Sequence, residues 1–107
     1  MLSPRRATGR RVTESTEDLA GVRSSIDTLD RQIIELIAQR QVQVVRAGVL
    51  KRGRTTDAVH APTRVEDVIR KVRIRAAEAG ASPEVVEATY RAMIDAFIEL
   101  ELGVHER

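Results

Sequence analysis

The strongest constraint on this chain is one stripe of apolar residues between about Glu17 and about Lys51. These residues recur at steps of three and four, which is the spacing of one face of an α-helix and not of a strand. No proline interrupts the segment. The pattern therefore predicts a single long helix, whose apolar face consists of Leu19, Val22, Ile26, Leu29, Ile33, Leu36, Val44 and Ala47.

A helix of this length is too long for the compact monomer that a chain of 107 residues would form. About 35 residues at a rise of 1.5 Å extend over about 52 Å, which exceeds the diameter of a domain of this size. The apolar face must therefore be buried on a partner. We predict an all-α fold in which a three-helix protomer forms an intertwined homodimer.

Two shorter helices are predicted after the long one. Residues 52–60 are polar and contain one glycine, which indicates a loop. Pro62 suits the first turn of the second helix, and Gly80 suits its end. The third helix begins after Ser82, a favourable N-cap. It runs to about residue 102, where we expect Gly103 to stop it.

The first residues of the chain differ in composition from the rest. Residues 1–14 show no apolar periodicity, and residues 1–12 hold four arginines and no acid. Removing these four bases from the 18 bases and 16 acids of the chain leaves a net charge of −2. We predict a flexible basic tail at residues 1–14 and a helical domain at residues 15–107. An arginine-rich organellar presequence is the alternative for the tail, whereas a signal peptide would need an apolar segment after the arginines.

The composition also excludes some function classes. Because the body of the chain is nearly neutral, we expect no nucleic-acid partner. No apolar run reaches the roughly 18 residues of a membrane span, so we expect no membrane. The absence of cysteine suits a reducing cytoplasm. His60 and His105 lack the spacing of metal ligands, so we expect no metal.

Charged residues at core-facing positions indicate a binding site. Arg40 and Lys51 lie 11 residues apart on the stripe, so they share one helix face about 16 Å apart along the axis. Glu101 occupies the position at which the periodicity of the third helix predicts the next apolar residue. Arg64 lies in the first turn of the second helix, where a cation is disfavoured. Each of these charged residues alone has a structural explanation, such as an aliphatic side-chain stem that packs on apolar surface or an ion pair. Together they predict a site that binds carboxylates inside a helical bundle.

The position of Arg23 indicates that two subunits share that site. Arg23 lies 17 residues before Arg40, which is about 25 Å along the helix. No small ligand can therefore contact both side chains within one chain. In an antiparallel pair of helices, Arg23 of one chain would approach the Arg40–Lys51 region of the other.

The spacing of these residues resembles the first helix of the all-helical (AroQ class) chorismate mutases. The resemblance covers about residues 19–102. It implies a homodimer with two equivalent sites that rearranges chorismate to prephenate without a cofactor. The pathway would be the shikimate pathway of aromatic amino acid biosynthesis. The matching residues are Val22-Arg23-x-x-Ile26-Asp27-x-Leu29-Asp30-x-x-Ile33, then Ile37-Ala38-x-Arg40, then Lys51.

By this resemblance, each charged residue has a role in the site. Arg40 and the partner's Arg23 would hold the two carboxylates of the substrate. Lys51 would donate to a carboxylate and to the ether oxygen, and Arg64 would complete the cationic lining. Glu101 stands where the family usually has glutamine, and it would donate the second hydrogen bond to the ether oxygen. Since an ionised carboxylate only accepts hydrogen bonds, that role requires a protonated Glu101.

Two positions depart from the mutase pattern and leave other substrates open. Val65 replaces a glutamate that binds the substrate hydroxyl, and Phe97 replaces a small polar residue. Residues 61–65 are instead similar to the isochorismate-pyruvate lyases, which release salicylate and pyruvate. A 4-amino-4-deoxychorismate mutase is a further alternative. Outside catalysis, the alternative is a helical dimerisation or binding module.

Overall fold

The structure is a computed structural model that describes residues 18–106. Within this range the chain is all-helical and contains no strand. Its helices are α1 (Leu19–Leu50), α2 (Asp57–His60), α3 (Pro62–Ala79) and α4 (Pro83–His105). The all-α class and the three long helices are confirmed, while the homodimer stays a prediction. The tail predicted at residues 1–14 lies outside the described residues.

The chain divides into two units, one that ends at Ala38 and one that begins at Gln39. The described part of the first unit is the beginning of α1 and its cap. Asp18 Oδ1 accepts a hydrogen bond of 2.7 Å from the Gly21 N–H, which satisfies one of the free donors at the start of the helix. The spacing of Ser15 and Asp18 also resembles a capping box, but Ser15 lies outside the described residues.

The apolar face of α1 is exposed in the single chain. Five members of the predicted stripe are between 49% and 62% exposed: Leu19, Ile26, Leu29, Ile33 and Leu36. The only buried residue of α1 is Gly48. The periodicity therefore identified the helix correctly, but residues 18–106 of one chain do not cover its apolar face.

The second unit contains the small core of the protein. Both α2 and α3 pack against α4. The end of α3 and the start of α4 follow the predicted signals. Gly80 adopts a left-handed φ of 82° after α3. At the start of α4, Ser82 Oγ accepts a hydrogen bond of 3.2 Å from the Val85 N–H. The buried apolar side chains are Val59, Ile69, Val72, Ala76, Ile94 and Val104.

The loop prediction for residues 52–60 is wrong in its second half. Residues Asp57–His60 form α2, a single helical turn whose Val59 is buried. Ala61, with a left-handed φ of 38°, connects α2 directly to α3. One turn is too short to show any periodicity, and it is stabilised by the packing of Val59 and not by local propensity.

The stop predicted at Gly103 is also wrong, because α4 continues to His105. Glycine inside a helix costs only about 1 kcal/mol relative to alanine. Beyond it, Val104 is buried against the end of α1, and burial of a valine side chain contributes about 1.5 kcal/mol or more. The tertiary contact therefore outweighs the local stop signal.

Gly103→Ala is expected to raise the free energy of unfolding by about 1 kcal/mol, since alanine favours the helix. A Cβ at position 103 would have nothing within 4 Å. Gly48→Ala is the matched control, because a Cβ there would lie 3.0 Å from Val104 Cγ1. Urea unfolding of both variants measures the change in the free energy of unfolding. An equal increase in Gly103→Ala and Gly48→Ala would contradict the prediction.

A surface ion-pair network joins α3 to α4 and predicts how stability depends on pH. Arg91 donates two hydrogen bonds of 3.0 Å to Glu66 and one of 2.7 Å to Glu87. These bonds hold the pKa of both carboxyl groups below the ordinary 4.5. A lowered pKa in the folded state contributes stability above the unfolded pKa. That contribution disappears as the pH falls through the folded pKa.

The free energy of unfolding should therefore decrease as the pH falls below about 4.5, the ordinary pKa of a glutamate. In Arg91→Gln this decrease should be shallower, because Glu66 loses the donor that lowers its pKa and Glu87 keeps only Arg73. Arg75→Gln is the control, since Arg75 forms no ion pair with residues 18–106. Urea unfolding at a series of pH values gives the slopes. Identical slopes in wild type and Arg91→Gln would rule this contribution out.

Candidate functional site

A cavity of about 310 Å³ lies within the second unit. Its walls come from the end of α1, from α2, from the start of α3 and from the second half of α4. The charged side chains that line it are Arg40, Lys51, Arg64 and Glu101. Much of the remaining wall is apolar and includes Val59, Val65, Val68, Ile94, Phe97 and Ile98. The cavity therefore combines a cationic lining with an apolar interior.

Lys51 and Glu101 form an ion pair across the cavity wall. Lys51 Nζ lies 2.8 Å from Glu101 Oε2, and the Glu101 side chain is only 9% exposed against 25% for Lys51. Lys51 follows the last residue of α1, and its backbone N–H still donates to Ala47 O at 3.0 Å. Glu101 is the one buried charged residue among residues 18–106. Its burial is tolerated because the ammonium group compensates its charge.

Gly48 permits the close approach of α1 and α4 at this ion pair. A Cβ at position 48 would lie 3.2 Å from Glu101 Cγ and 3.0 Å from Val104 Cγ1. From the sequence alone, Gly48 is only a residue of low helix propensity within a predicted helix. In the structure it is the buried residue of α1 that gives α4 room to bring Glu101 next to Lys51.

Arg40 lies against the aromatic residues of α4. Its Cζ atom is 5.3 Å from the centre of the Phe97 ring and 6.0 Å from that of Tyr90. Both distances are within the range of a cation–π interaction. Arg40 forms no ion pair with a carboxylate of residues 18–106. The guanidinium is thus oriented by aromatic faces and keeps its N–H donors for an anion.

Arg64 lines the cavity with a side chain that is 68% exposed. It contacts Asp67, one turn further along α3, at 3.4 Å. Asp67 is already engaged by Lys71 at 3.0 Å and by Arg70 at 2.5 Å. Hydrogen bonds from Lys71 and Arg70 hold the pKa of Asp67 below its usual value. Asp67 partly compensates a cation at the start of α3, yet the weak contact leaves Arg64 available to a ligand.

The structure places six of the seven predicted site residues around one cavity. Arg23 is not among the residues that line it. It lies in the first unit, where its side chain is exposed. The six residues that do line the cavity are Arg40, Lys51, Arg64, Val65, Phe97 and Glu101.

Part of the cavity wall consists of residues that the sequence pattern did not indicate. Val59, His60 and Ala61 contribute from α2 and the residue after it, in a segment predicted to be a loop. Val59 was the available signal, because it is the only large apolar residue in a polar stretch. Gln43 was also missed, although it lies three residues after Arg40 and so on the same helix face.

The chemistry of these side chains suits a small anion with an apolar body. Guanidinium groups bind carboxylates through two parallel hydrogen bonds, and an ammonium group adds a mobile point charge. Residues 18–106 contain no cluster of side chains that could hold a metal ion. None of the described helices is long and apolar enough to cross a membrane. The arrangement can bind, orient and stabilise negative charge, which is sufficient for a reaction without a covalent intermediate.

The sequence is similar to known proteins over most of its length. Residues 22–102 match the family model of chorismate mutase type II. The chain is also 35% identical over 75 residues to the T-protein of Haemophilus influenzae. That match covers 70% of this chain but only 20% of the T-protein. No solved structure matches.

Proposed function

Because this chain belongs to the chorismate mutase type II family, a family of isomerases, we propose that it rearranges chorismate to prephenate. The observation that carries the proposal is the convergence of Arg40, Lys51 and Arg64 on one apolar-walled cavity beside Glu101. Chorismate carries one carboxylate on its ring and a second on its enolpyruvyl ether side chain, and it matches this lining in charge and polarity. The reaction breaks one C–O bond and forms one C–C bond within the same molecule. It therefore requires positioning and charge stabilisation, with no cofactor.

Each cationic side chain has a distinct task in this proposal. Arg40, held against Phe97 and Tyr90, binds one carboxylate through its free N–H donors. Lys51 has three N–H donors, and Glu101 accepts one of them. The others are available to a carboxylate and to the ether oxygen, on which negative charge develops as the C–O bond breaks. Stabilising that charge more strongly than the ground state accelerates the reaction.

A homodimer with shared sites completes the proposal. The exposed apolar face of α1 must be covered, and a second copy of the same helix offers a matching face. Arg23 is not among the residues that line the cavity of the second unit. In an antiparallel pair of α1 helices, the partner's Arg23 would supply the clamp for the second carboxylate. This arrangement accounts both for the exposed apolar face of α1 and for the absence of Arg23 from the residues that line the cavity.

In the proposed reaction, Glu101 can donate a hydrogen bond to the ether oxygen only when it is protonated. In this structure it accepts a hydrogen bond from Lys51, and an ionised carboxylate cannot donate to the ether oxygen. Glu101→Gln carries an amide N–H donor, so its kcat/KM should equal or exceed that of wild type. A folded Gln variant without activity would assign Glu101 to a structural ion pair.

The direct test is to incubate the purified protein separately with chorismate and with isochorismate. Prephenate has the same mass as chorismate, so the products must be separated by chromatography before mass measurement. Acid treatment, which converts prephenate to phenylpyruvate, provides a second identification. Prephenate from chorismate supports the proposal. No turnover of either compound, with no binding of a bicyclic dicarboxylate that mimics the transition state, would favour a helical binding module.

Isochorismate-pyruvate lyase is the second candidate function, and two wall residues favour it. Val65 and Phe97 both line the cavity, and neither side chain can hydrogen-bond the ring hydroxyl of chorismate. The same cationic lining suits isochorismate, whose hydroxyl is on a different ring carbon. Salicylate and pyruvate formed from isochorismate, without prephenate from chorismate, would decide for the lyase.

A further inference from the structure

The last turn of α4 is hydrogen-bonded to the segment that directly follows α1. We call residues 51–54 the Lys51 turn. His105 Nε2 lies 2.9 Å from the Arg54 carbonyl oxygen. In the opposite direction, Arg52 Nε donates to the Val104 carbonyl at 3.2 Å. The proposed chemistry uses neither bond, although both hold the segment that carries Lys51.

The His105 ring donates from Nε2, because a carbonyl oxygen only accepts. Its other nitrogen, Nδ1, is buried and has no hydrogen-bond partner among residues 18–106. An unpaired buried polar atom such as Nδ1 destabilises the folded state. The hydrogen bond from Nε2 to the Arg54 carbonyl offsets part of that cost. The ring therefore serves as a donor to the Arg54 carbonyl.

Backbone hydrogen bonds connect the start of the Lys51 turn to α1, from the Lys51 N–H to Ala47 O at 3.0 Å and from the Arg52 N–H to Val49 O at 3.2 Å. The turn begins one residue beyond the end of α1, where helices fray. Gly53 within it adopts a left-handed φ of 87°, and the Arg54 N–H donates to the Lys51 carbonyl at 3.0 Å. The hydrogen bond from His105 to the Arg54 carbonyl is thus connected to Lys51 through one short hydrogen-bonded turn of the backbone.

His105 and Glu101 hold the same turn from the same helix. They are four residues apart on α4 and so lie on one face, about one helical turn apart. Glu101 contacts the first residue of the Lys51 turn at 2.8 Å, and His105 contacts the last at 2.9 Å. Because these contacts lie at the two ends of the Lys51 turn, they restrict the turn more than the ion pair between Lys51 and Glu101 would alone.

We propose that His105 is a positioning residue that holds the Lys51 turn against α4 and thereby orients the Lys51 ammonium group in the cavity. The effect on catalysis rests on the proposed function. The effect on the turn does not, because it follows from the hydrogen bond between His105 and Arg54.

Two substitutions separate the donor from the bulk of the side chain. His105→Phe keeps a ring of similar size but removes the donor. His105→Gln places an amide N–H close to the position of Nε2. In His105→Phe, backbone hydrogen exchange in the Lys51 turn should rise about fivefold or more, which is the effect of losing one hydrogen bond. In His105→Gln it should stay within about twofold of wild type, and α3 should be unchanged in both.

Turnover provides the second measurement. His105→Phe should lower kcat about fivefold or more with a smaller change in KM, because a misplaced Lys51 weakens the transition state more than substrate binding. His105→Gln should restore most of kcat. His105→Ala serves in place of the Phe variant if that protein does not fold, as judged by helical circular dichroism.

The two measurements distinguish failure of the proposal from failure of the proposed function. Unchanged exchange in the Lys51 turn would show that His105 does not hold it. Faster exchange with an unchanged kcat would show that the bond does not position Lys51. If the wild type turns over neither chorismate nor isochorismate, the proposed function fails, and the exchange comparison still decides whether His105 holds the turn.

Discussion

Lys51→Met is expected to lower kcat/KM for chorismate by about a thousandfold or more, which corresponds to about 4 kcal/mol of transition-state stabilisation. Methionine keeps much of the length of the side chain but removes the charge and every donor. The ether oxygen would then gain negative charge against an apolar wall. Glu101 would also lose its partner at 2.8 Å and remain a buried carboxyl group without compensation.

That second consequence requires a control, because a destabilised protein also loses activity. In the double variant Lys51→Met/Glu101→Gln no buried charge remains, so the free energy of unfolding should recover while the activity stays low. Lys71→Met is a surface control, since Lys71 pairs with Asp67 and does not line the cavity. If the double variant regains turnover together with stability, Lys51 is a structural ion-pair partner and not a catalytic group.

Mixing Arg23→Ala chains with Arg40→Ala chains is expected to restore activity that neither variant has alone. In a dimer with shared sites, a mixed dimer has one site with both substitutions and one site with neither. Random subunit exchange makes half of the dimers mixed, so about a quarter of the wild-type activity should return. Each separate variant should lose at least about a hundredfold, because a buried carboxylate clamp is worth about 3 kcal/mol.

The matched control for this mixture uses two residues that one chain supplies to the same cavity. Arg40 and Lys51 both line the cavity of their own chain, so a mixture of Arg40→Ala and Lys51→Met chains should recover nothing. Recovery in both mixtures would indicate an artefact of mixing. No recovery in the first mixture, after subunit exchange has been verified, would exclude the shared site. A monomeric mass by light scattering with full activity would exclude the dimer itself.

Local signals in the sequence were sufficient for most of the helical boundaries. Gly80 ends α3 and Ser82 caps α4 as expected, because these residues act through their own backbone conformation and nearest N–H groups. The boundaries that failed depend on distant contacts. Gly103 does not stop α4, since Val104 beyond it is buried, and α2 forms where Val59 packs against α4.

The candidate site was predictable as a set of residue types but not as a geometry. Periodicity placed Arg40 and Lys51 on one face of a helix, where their charge was out of place. It did not indicate that Arg40 would lie 5.3 Å from the centre of Phe97. It also did not indicate that Gly48 would allow α4 to come close enough for Glu101 to reach Lys51. The distances between side chains on different helices follow from packing, which no local pattern contains.

The amino-acid sequence alone predicted a helical chain with one long apolar stripe and with charges at positions that a core would not tolerate. These properties depend on residues three or four positions apart, whose relation is set by the helix alone. The packing of the helices shows that Lys51 and Glu101, 50 residues apart, form a 2.8 Å ion pair, and that His105 contacts the Arg54 carbonyl at 2.9 Å. Such contacts depend on how whole helices pack, because their energy comes from burial and close approach between segments that are distant in the chain.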